Sequence, residues 1–173
     1  MNYASIRTCD IANGEGVRVS LFVSGCTHHC KGCFNEEAQD FAFGQPFDRA
    51  TEDRVLDAVA PSYIAGLTLL GGEPMEPENQ RALLPFLRRF RERFGSGKTV
   101  WIYTGCVLES DLLAESRWRT EATDELLSLA DTLVDGPYVE ELKDISLKFR
   151  GSSNQRIIEL KGARGAEKGK VQT

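Results

Sequence analysis

The chain has 173 residues, of which 41% are hydrophobic and 27% charged, and its formal net charge is -5. This length suits one domain with a packed core, and the composition argues against global disorder. An acidic balance does not favour nucleic-acid binding, and no apolar run is long enough for a membrane helix or a signal peptide. We therefore expect a cytoplasmic protein with no nucleic-acid and no membrane partner, in which thiols stay reduced.

Apolar patterning predicts strands that alternate with helices along the chain. Thr51 is the expected N-cap of the first helix, and Pro85 should kink the second helix or start a new one. Residues 1–12 read as irregular, and residues 156–160 read as a last strand. The predicted strands cover residues 17–24, 66–70, 98–103 and 131–134, and the predicted helices cover residues 51–60, 78–94 and about 120–130.

The alternation predicts βαβ units and a parallel sheet with helices outside it. We expect one domain over residues 1–160 and a disordered tail over residues 161–173, where glycine and basic residues dominate. In a parallel sheet, the loops after the strands share one edge. That geometry should bring Cys26–Cys33, Gly71–Glu73, Tyr103–Thr104 and Asp135 together.

Three of the five cysteines, Cys26, Cys30 and Cys33, fall on one loop with the spacing C-x3-C-x2-C. Thiolates this close in sequence can face one centre, and iron–sulfur clusters prefer such soft ligands. We favour a [4Fe–4S] cluster with one open iron over zinc, which takes four ligands, and over inert cysteines. From spacing alone a fourth ligand stays possible. The candidates for it are His28, His29, Cys9 and Cys106.

A second motif, Gly71-Gly72-Glu73-Pro74, follows the strand predicted over residues 66–70. Two glycines let a ligand approach the backbone closely, and a carboxylate at a strand end can bind an ammonium group. Alone, the tetrapeptide is also compatible with an ordinary strand-to-helix turn. Its position one βα unit after the cysteine loop makes the ligand-binding interpretation stronger.

The two motifs together resemble those of the radical S-adenosylmethionine (SAM) superfamily. The resemblance implies that Cys26, Cys30 and Cys33 bind a [4Fe–4S] cluster and that SAM chelates the fourth iron. It also implies a partial (β/α) barrel of one domain. The residues that the resemblance places at the cofactors are Gly32, Cys33, Phe34, Gly71, Gly72 and Glu73, with the Gly-Gly-Glu stretch holding the SAM amino group.

Further stretches resemble the activating proteins of anaerobic (class III) ribonucleoside-triphosphate reductase, and this similarity covers roughly residues 1–158. It implies an enzyme that cleaves SAM reductively to a 5′-deoxyadenosyl radical and forms a glycyl radical on the large subunit of the reductase. It also implies a flavodoxin-type reductant. The stretches are Asn13–Arg18, Leu21–Cys26, Trp101–Gly105, Leu133–Gly136 and Arg150–Gln155.

The remaining polar residues have more than one interpretation. Asp135 either contacts the SAM ribose or caps its strand end. Arg150 and Asn154 are candidates for contacting the partner, although Arg150 can equally neutralise a carboxylate or be solvated. For Cys9 and Cys106 we expect small buried side chains.

Two alternative functions also remain. One is a radical SAM enzyme with another target, such as a different glycyl-radical enzyme or a deazaguanine precursor. The other is a protein without enzymatic activity that holds structural zinc or an electron-carrying cluster.

Overall fold

The computed structural model describes residues 1–160 together with the backbone of residues 171–172, and within these residues eight strands form one sheet. The strands are β1 (Asn2–Asp10), β2 (Val17–Val23), β3 (Gln45–Pro46), β4 (Ile64–Gly71), β5 (Thr99–Tyr103), β6 (Thr132–Asp135), β7 (Arg156–Glu159) and β8 (Val171–Gln172). The helices are α1 (Arg49–Val59), α2 (Pro77–Phe94) and α3 (Thr123–Leu129), with 3-10 turns at Glu36–Gln39 and Glu140–Leu142 and a π-helical turn at Leu108–Leu113.

The sheet is mixed and open, with the strand order β3-β1-β2-β4-β5-β6-β7-β8. The four central strands β2, β4, β5 and β6 run parallel, as the alternating pattern predicts. The flanking strands are antiparallel to their neighbours, so the prediction of an all-parallel sheet is wrong at both flanks. The short connection between β1 and β2 explains one flank, because a parallel crossover needs a dozen or more residues. The α/β class is confirmed, and the curvature of a partial barrel stays a prediction.

The two faces of the sheet have different surroundings. Val19 and Leu21 of β2 belong to the apolar core that residues of α1, α2 and α3 complete. Because side chains alternate along a strand, Arg18 and Phe22 lie on the opposite face. Phe22 there lines a cavity. The helices therefore cover one face of the central sheet, and the other face borders the cavity.

Arg18 is buried on the cavity side and joins three parallel strands. Its Nε donates a hydrogen bond to Oγ1 of Thr68 at 2.7 Å, its Nη2 to the carbonyl of Leu67 at 2.7 Å, and its Nη1 to Oγ1 of Thr99 at 2.9 Å. Burial lowers the pKa of the guanidinium to about 10, so the group stays charged at neutral pH. Arg18 thus joins the amino-terminal part of β2 to the middle of β4 and the start of β5.

Three local predictions are corrected. Residues predicted as irregular form β1, which the apolar pattern misses because much of that strand is exposed. Helix α1 begins at Arg49, because the Oδ1 atom of Asp48 accepts the Thr51 amide at 2.8 Å and Asp48 is the N-cap. Helix α2 continues through Pro85. Proline has no amide hydrogen, so the helix carbonyl four residues earlier loses its partner. Pro85 is exposed, and water can therefore solvate that carbonyl. The buried face of the helix, which includes Phe86, stays packed.

Residues 161–170 and 173 of the predicted disordered tail lie outside the described residues, and residues 171–172 pair with β7. The division into a domain over residues 1–160 and a tail therefore stays a prediction. Among the described residues, no helix is long and apolar enough to cross a membrane.

Candidate functional site

A cavity of about 660 Å³ lies at the carboxyl ends of the four parallel strands. The expectation that the loops after these strands meet at one edge is confirmed, because residues from all four strand ends line this cavity. Those that the sequence had already marked are Cys26, Cys30, Cys33, Phe34, Gly71, Gly72, Tyr103, Thr104 and Arg150.

The cysteine loop begins directly after β2 and bends back on itself. Gly25 has a φ of 94°, and its amide donates to the carbonyl of Ala38 at 2.8 Å. His29 and Gly32 also have positive φ values, of 50° and 73°. These left-handed positions explain why such a short segment can bring three thiols to one cavity wall. The three cysteines are free and partly buried.

Burial shifts the acidity of these thiols. It raises the pKa of Cys26 to about 12, with the nearby carboxylates of Glu73 and Glu76 adding to the effect. It also raises the pKa of Cys30. A metal bound here would have to displace the thiol protons, since the thiolate is the ligand form. Three soft donors on one wall suit iron–sulfur ligation.

The Gly71–Gly72 turn packs against the base of the cysteine loop. The amide of Gly72 donates to the carbonyl of Val23 at 2.7 Å, and the amide of Glu73 donates to the carbonyl of Gly25 at 2.8 Å. A Cβ atom at position 72 would lie 2.6 Å from the Gly25 oxygen and 2.8 Å from the Ala38 oxygen. Glycine is therefore required for this contact, which leaves the backbone of both glycines open to the cavity.

The carboxylate of Glu73 accepts hydrogen bonds from other parts of the protein. Its Oε1 accepts the Met75 amide at 2.8 Å, and its Oε2 accepts the Gly105 amide at 2.7 Å. Nε2 of His28 lies 2.9 Å from the same Oε2 atom. The side chain is buried and, among the described residues, is not part of the cavity lining. Its assignment to the SAM amino group stays a prediction that this geometry does not favour.

Phe34 and Gly32 lie at the outer end of the loop. Phe34 is 75% exposed, with the Tyr138 ring at 5.9 Å and the Lys143 ammonium 5.0 Å from its ring. Gly32 is exposed and faces Glu140, and among the described residues it does not line the cavity. Phe34 is thus placed at the mouth, whereas a cofactor contact by Gly32 stays a prediction.

Asp135 is buried behind the end of β6. Its Oδ1 accepts Nε of Arg156 at 2.9 Å, and its Oδ2 accepts the Leu108 amide at 2.8 Å. Of the two interpretations of this residue, the structural one fits this geometry, since the carboxylate joins β6, β7 and the π-helical turn. A contact with a SAM ribose stays a prediction.

Residues 150–155 form a closed loop over the cavity. Oε1 of Gln155 accepts the amide of Gly151 at 2.9 Å, and Nδ2 of Asn154 donates to the carbonyl of Pro137 at 2.7 Å. Arg150 lines the cavity and donates from Nη1 to the Gln155 carbonyl. Its Nε is buried without a hydrogen-bond partner among the described residues. Asn154 therefore supports the loop, whereas Arg150 lines the cavity and keeps one buried donor without a partner among the described residues.

The comparisons with known proteins agree with this site. A family model described as a 4Fe-4S single cluster domain matches residues 12–158. The anaerobic ribonucleoside-triphosphate reductase-activating protein of Pasteurella multocida is 42% identical over 159 residues, which cover 91% of this chain and 96% of the relative. The chain belongs to the family of anaerobic ribonucleoside-triphosphate reductase-activating proteins. Relatives with the same name come from Escherichia coli K12, at 39% identity over 93% of this chain and 100% of the relative, and from Enterobacteria phage T4, at 37% over 91% and 93%.

In this member of the activating-protein family, the structure also adds site residues that the sequence does not single out. Tyr138 and Phe149 line the cavity. Tyr138 lies three residues after the end of β6, and this position after a parallel strand could have predicted it as a site residue. Phe149 has a φ of 58° and packs edge-on against Trp101 at 5.5 Å, and no sequence pattern marks it.

The two remaining cysteines have different environments. Cys106 is buried, as predicted, whereas Cys9 is exposed on β1 and the prediction for it is wrong. Among the described residues, neither cysteine lines the cavity.

Proposed function

We propose that this chain is an iron–sulfur enzyme that uses SAM to generate the glycyl radical of anaerobic ribonucleoside-triphosphate reductase. The observation that carries the proposal is the set of Cys26, Cys30 and Cys33 on the wall of one cavity, with no fourth cysteine lining it among the described residues. The three thiols fit a [4Fe–4S] cluster that keeps one iron open. When bound, the cluster would supply the electron for reductive cleavage of SAM to methionine and a 5′-deoxyadenosyl radical, and that radical would take a hydrogen atom from the glycine.

The cavity walls support SAM as the second ligand. Gly71 and Gly72 expose backbone next to the cysteine loop, so a polar ligand can approach closely. Oη of Tyr103 and Nε of Arg150 are buried without partners among the described residues, although both side chains line the cavity. Buried polar groups normally have hydrogen-bond partners, so these two atoms fit a polar ligand such as SAM.

A protein substrate suits the mouth of this cavity. Phe34 at the mouth is exposed, and Ile145, close in sequence to the lining residue Leu147, is 94% exposed. An exposed aromatic side chain at an opening, with an exposed apolar residue on a segment that also lines the cavity, is typical of a contact with another protein. The names of the relatives indicate the reductase, and we propose its large subunit as the partner and a flavodoxin-type protein as the reductant. Reduced thiols are consistent with a cytoplasmic location.

The test is an anaerobic assay of the reconstituted chain with SAM, dithionite and the reductase large subunit, read by EPR. We expect a brown protein with stoichiometric iron and sulfide and a glycyl-radical signal that depends on SAM. Cys30→Ala should abolish cluster retention, whereas Cys9→Ala is the matched control and should retain the cluster. SAM cleavage without a reductase radical would favour another target, and stoichiometric zinc without sulfide would overturn the proposal.

A further inference from the structure

His28 lies behind the cysteine loop and contacts two other parts of the site. Its Nε2 is 2.9 Å from Oε2 of Glu73. Its ring stacks on Trp118, with the ring centroids 4.5 Å apart and an angle of 14° between the planes. The side chain is only 15% exposed, whereas the neighbouring His29 is exposed. The two adjacent histidines therefore have different environments, and only His28 faces the interior.

Glu73 connects three loops through its carboxylate. It accepts Nε2–H of His28 from the cysteine loop, the amide of Gly105 from the loop after β5, and the amide of Met75 from its own turn. These loops also supply walls of the cavity, through Cys26 and Gly105 among others. A change in the His28–Glu73 contact would therefore move the cysteine loop relative to the Gly71–Gly72 turn.

A metal site is the competing explanation for this cluster, because ligand atoms of His28, Glu73 and Cys106 lie within 4.8 Å of one another. The hydrogen bonds argue against it. Oε2 of Glu73 accepts two hydrogen bonds, which fill the lone-pair directions that a metal would need. The Sγ atom of Cys106 lies 3.8 Å from Nε2 of His28, within hydrogen-bonding range for sulfur.

We propose that His28 is a positioning residue that holds the cysteine loop in register with the Gly71–Gly72 turn through Glu73. The inference rests on the proposed function, because its consequence is a correctly placed SAM site beside the cluster. Neither His28 nor Glu73 touches SAM on this account. Replacing a residue that orients the ligands of a metal site typically changes metal affinity or activity by about 10- to 100-fold.

Three substitutions separate the hydrogen bond from the ring packing. His28→Phe keeps a ring for Trp118 and removes the donor. His28→Gln keeps a donor that can reach Glu73 and removes the ring. His28→Ala removes both. His29→Asn is the matched control on the same loop, because asparagine tolerates the positive φ at that position.

The measurements are iron and sulfide per chain, the EPR spectrum of the reduced cluster with and without SAM, and the Kd for SAM, all on the anaerobically reconstituted full chain. We expect His28→Phe and His28→Ala to retain the cluster, to bind SAM about tenfold or more weakly, and to change the EPR spectrum of the SAM complex. His28→Gln and His29→Asn should resemble the wild type.

Two results would overturn the inference. One is wild-type SAM affinity and EPR spectra in His28→Phe. The other is a loss of SAM binding in His28→Gln as large as that in His28→Phe, because a retained donor would then not preserve the site. Should His28→Ala fail to fold, the comparison of Phe with Gln still decides. If the wild-type protein itself holds a cluster but does not bind SAM, the proposed function fails instead.

Discussion

The buried carboxylate of Asp135 and the guanidinium of Arg156 form an ion pair between β6 and β7, with Oδ1 of Asp135 2.9 Å from Nε of Arg156. Replacing Asp135 with asparagine should lower the free energy of unfolding by about 3 kcal/mol, because it leaves Arg156 and the Leu108 amide with poorer partners. SAM affinity of the folded protein should change little. Chemical denaturation and a SAM titration of the same variant measure the two effects.

The control for this prediction is Glu109→Gln. Glu109 is the second partner of Arg156 and its side chain is 60% exposed, so its loss should cost less than about 1 kcal/mol. If Asp135→Asn is as stable as the wild type but loses SAM binding, Asp135 contacts the ligand and the structural interpretation is wrong.

Gly72→Ala should displace the cysteine loop. The added methyl group would meet the carbonyl oxygens of Gly25 and Ala38, which belong to backbone that cannot rotate away. Overpacking of this kind costs about 1–3 kcal/mol, and here the strain falls on the segment that carries Cys26. We expect reduced iron content after reconstitution and a lower Tm. Gly97→Ala, where the nearest atom is the Phe94 oxygen at 3.2 Å, should retain wild-type iron content.

The central fold was predictable because its strands are apolar and end at glycine or polar residues. Strand β1 was not, since exposed residues interrupt its apolar pattern and its stability comes from pairing with β2. The continuation of α2 through Pro85 was also missed. Helix propensity predicts a break at a proline. The buried packing of Leu83 and Phe86 in the core stabilises the helix by more than the proline destabilises it.

The position of Cys26 and Cys30 at the cavity was predictable, because their loop directly follows a predicted parallel strand. The site was not predictable where a side chain's partners decide its role. Glu73 and Asp135 both follow strand ends, and the sequence cannot show that each is committed to protein donors. Phe149 reaches the cavity from a loop without any periodic pattern, so only the tertiary structure identifies it.

Asp10 should make stability depend on acid pH. Burial acts to raise the pKa of its carboxyl, but hydrogen bonds from Asn13 and the Ala12 amide outweigh burial and hold the pKa below its usual value. A depressed pKa stabilises the folded state above the unfolded pKa of about 4, and the contribution is lost as the pH falls through the folded pKa. The difference in unfolding free energy between wild type and Asp10→Asn should therefore be largest near neutral pH.

The measurement is urea denaturation of both proteins at several pH values. The difference should shrink steadily below about pH 4. A difference that stays constant down to the lowest pH at which both proteins fold would contradict the role of the charge. Asp40→Asn is a suitable control, because Asp40 is exposed and its side chain accepts the amide of Ala42, two residues away.

Tyr103→Phe tests whether the cavity holds a polar ligand. Oη of Tyr103 is buried without a hydrogen-bond partner among the described residues, and burial raises the pKa of the phenol. Removing an unpartnered hydroxyl should leave the stability of the protein without SAM within about 1 kcal/mol of wild type. If SAM accepts a hydrogen bond from this hydroxyl, its affinity should fall about fivefold, the equivalent of one hydrogen bond of about 1 kcal/mol.

Tyr63→Phe is the control, since Tyr63 is 70% exposed and precedes β4 at the opposite edge of the sheet. Unchanged SAM affinity in Tyr103→Phe would place the ligand elsewhere on the cavity wall.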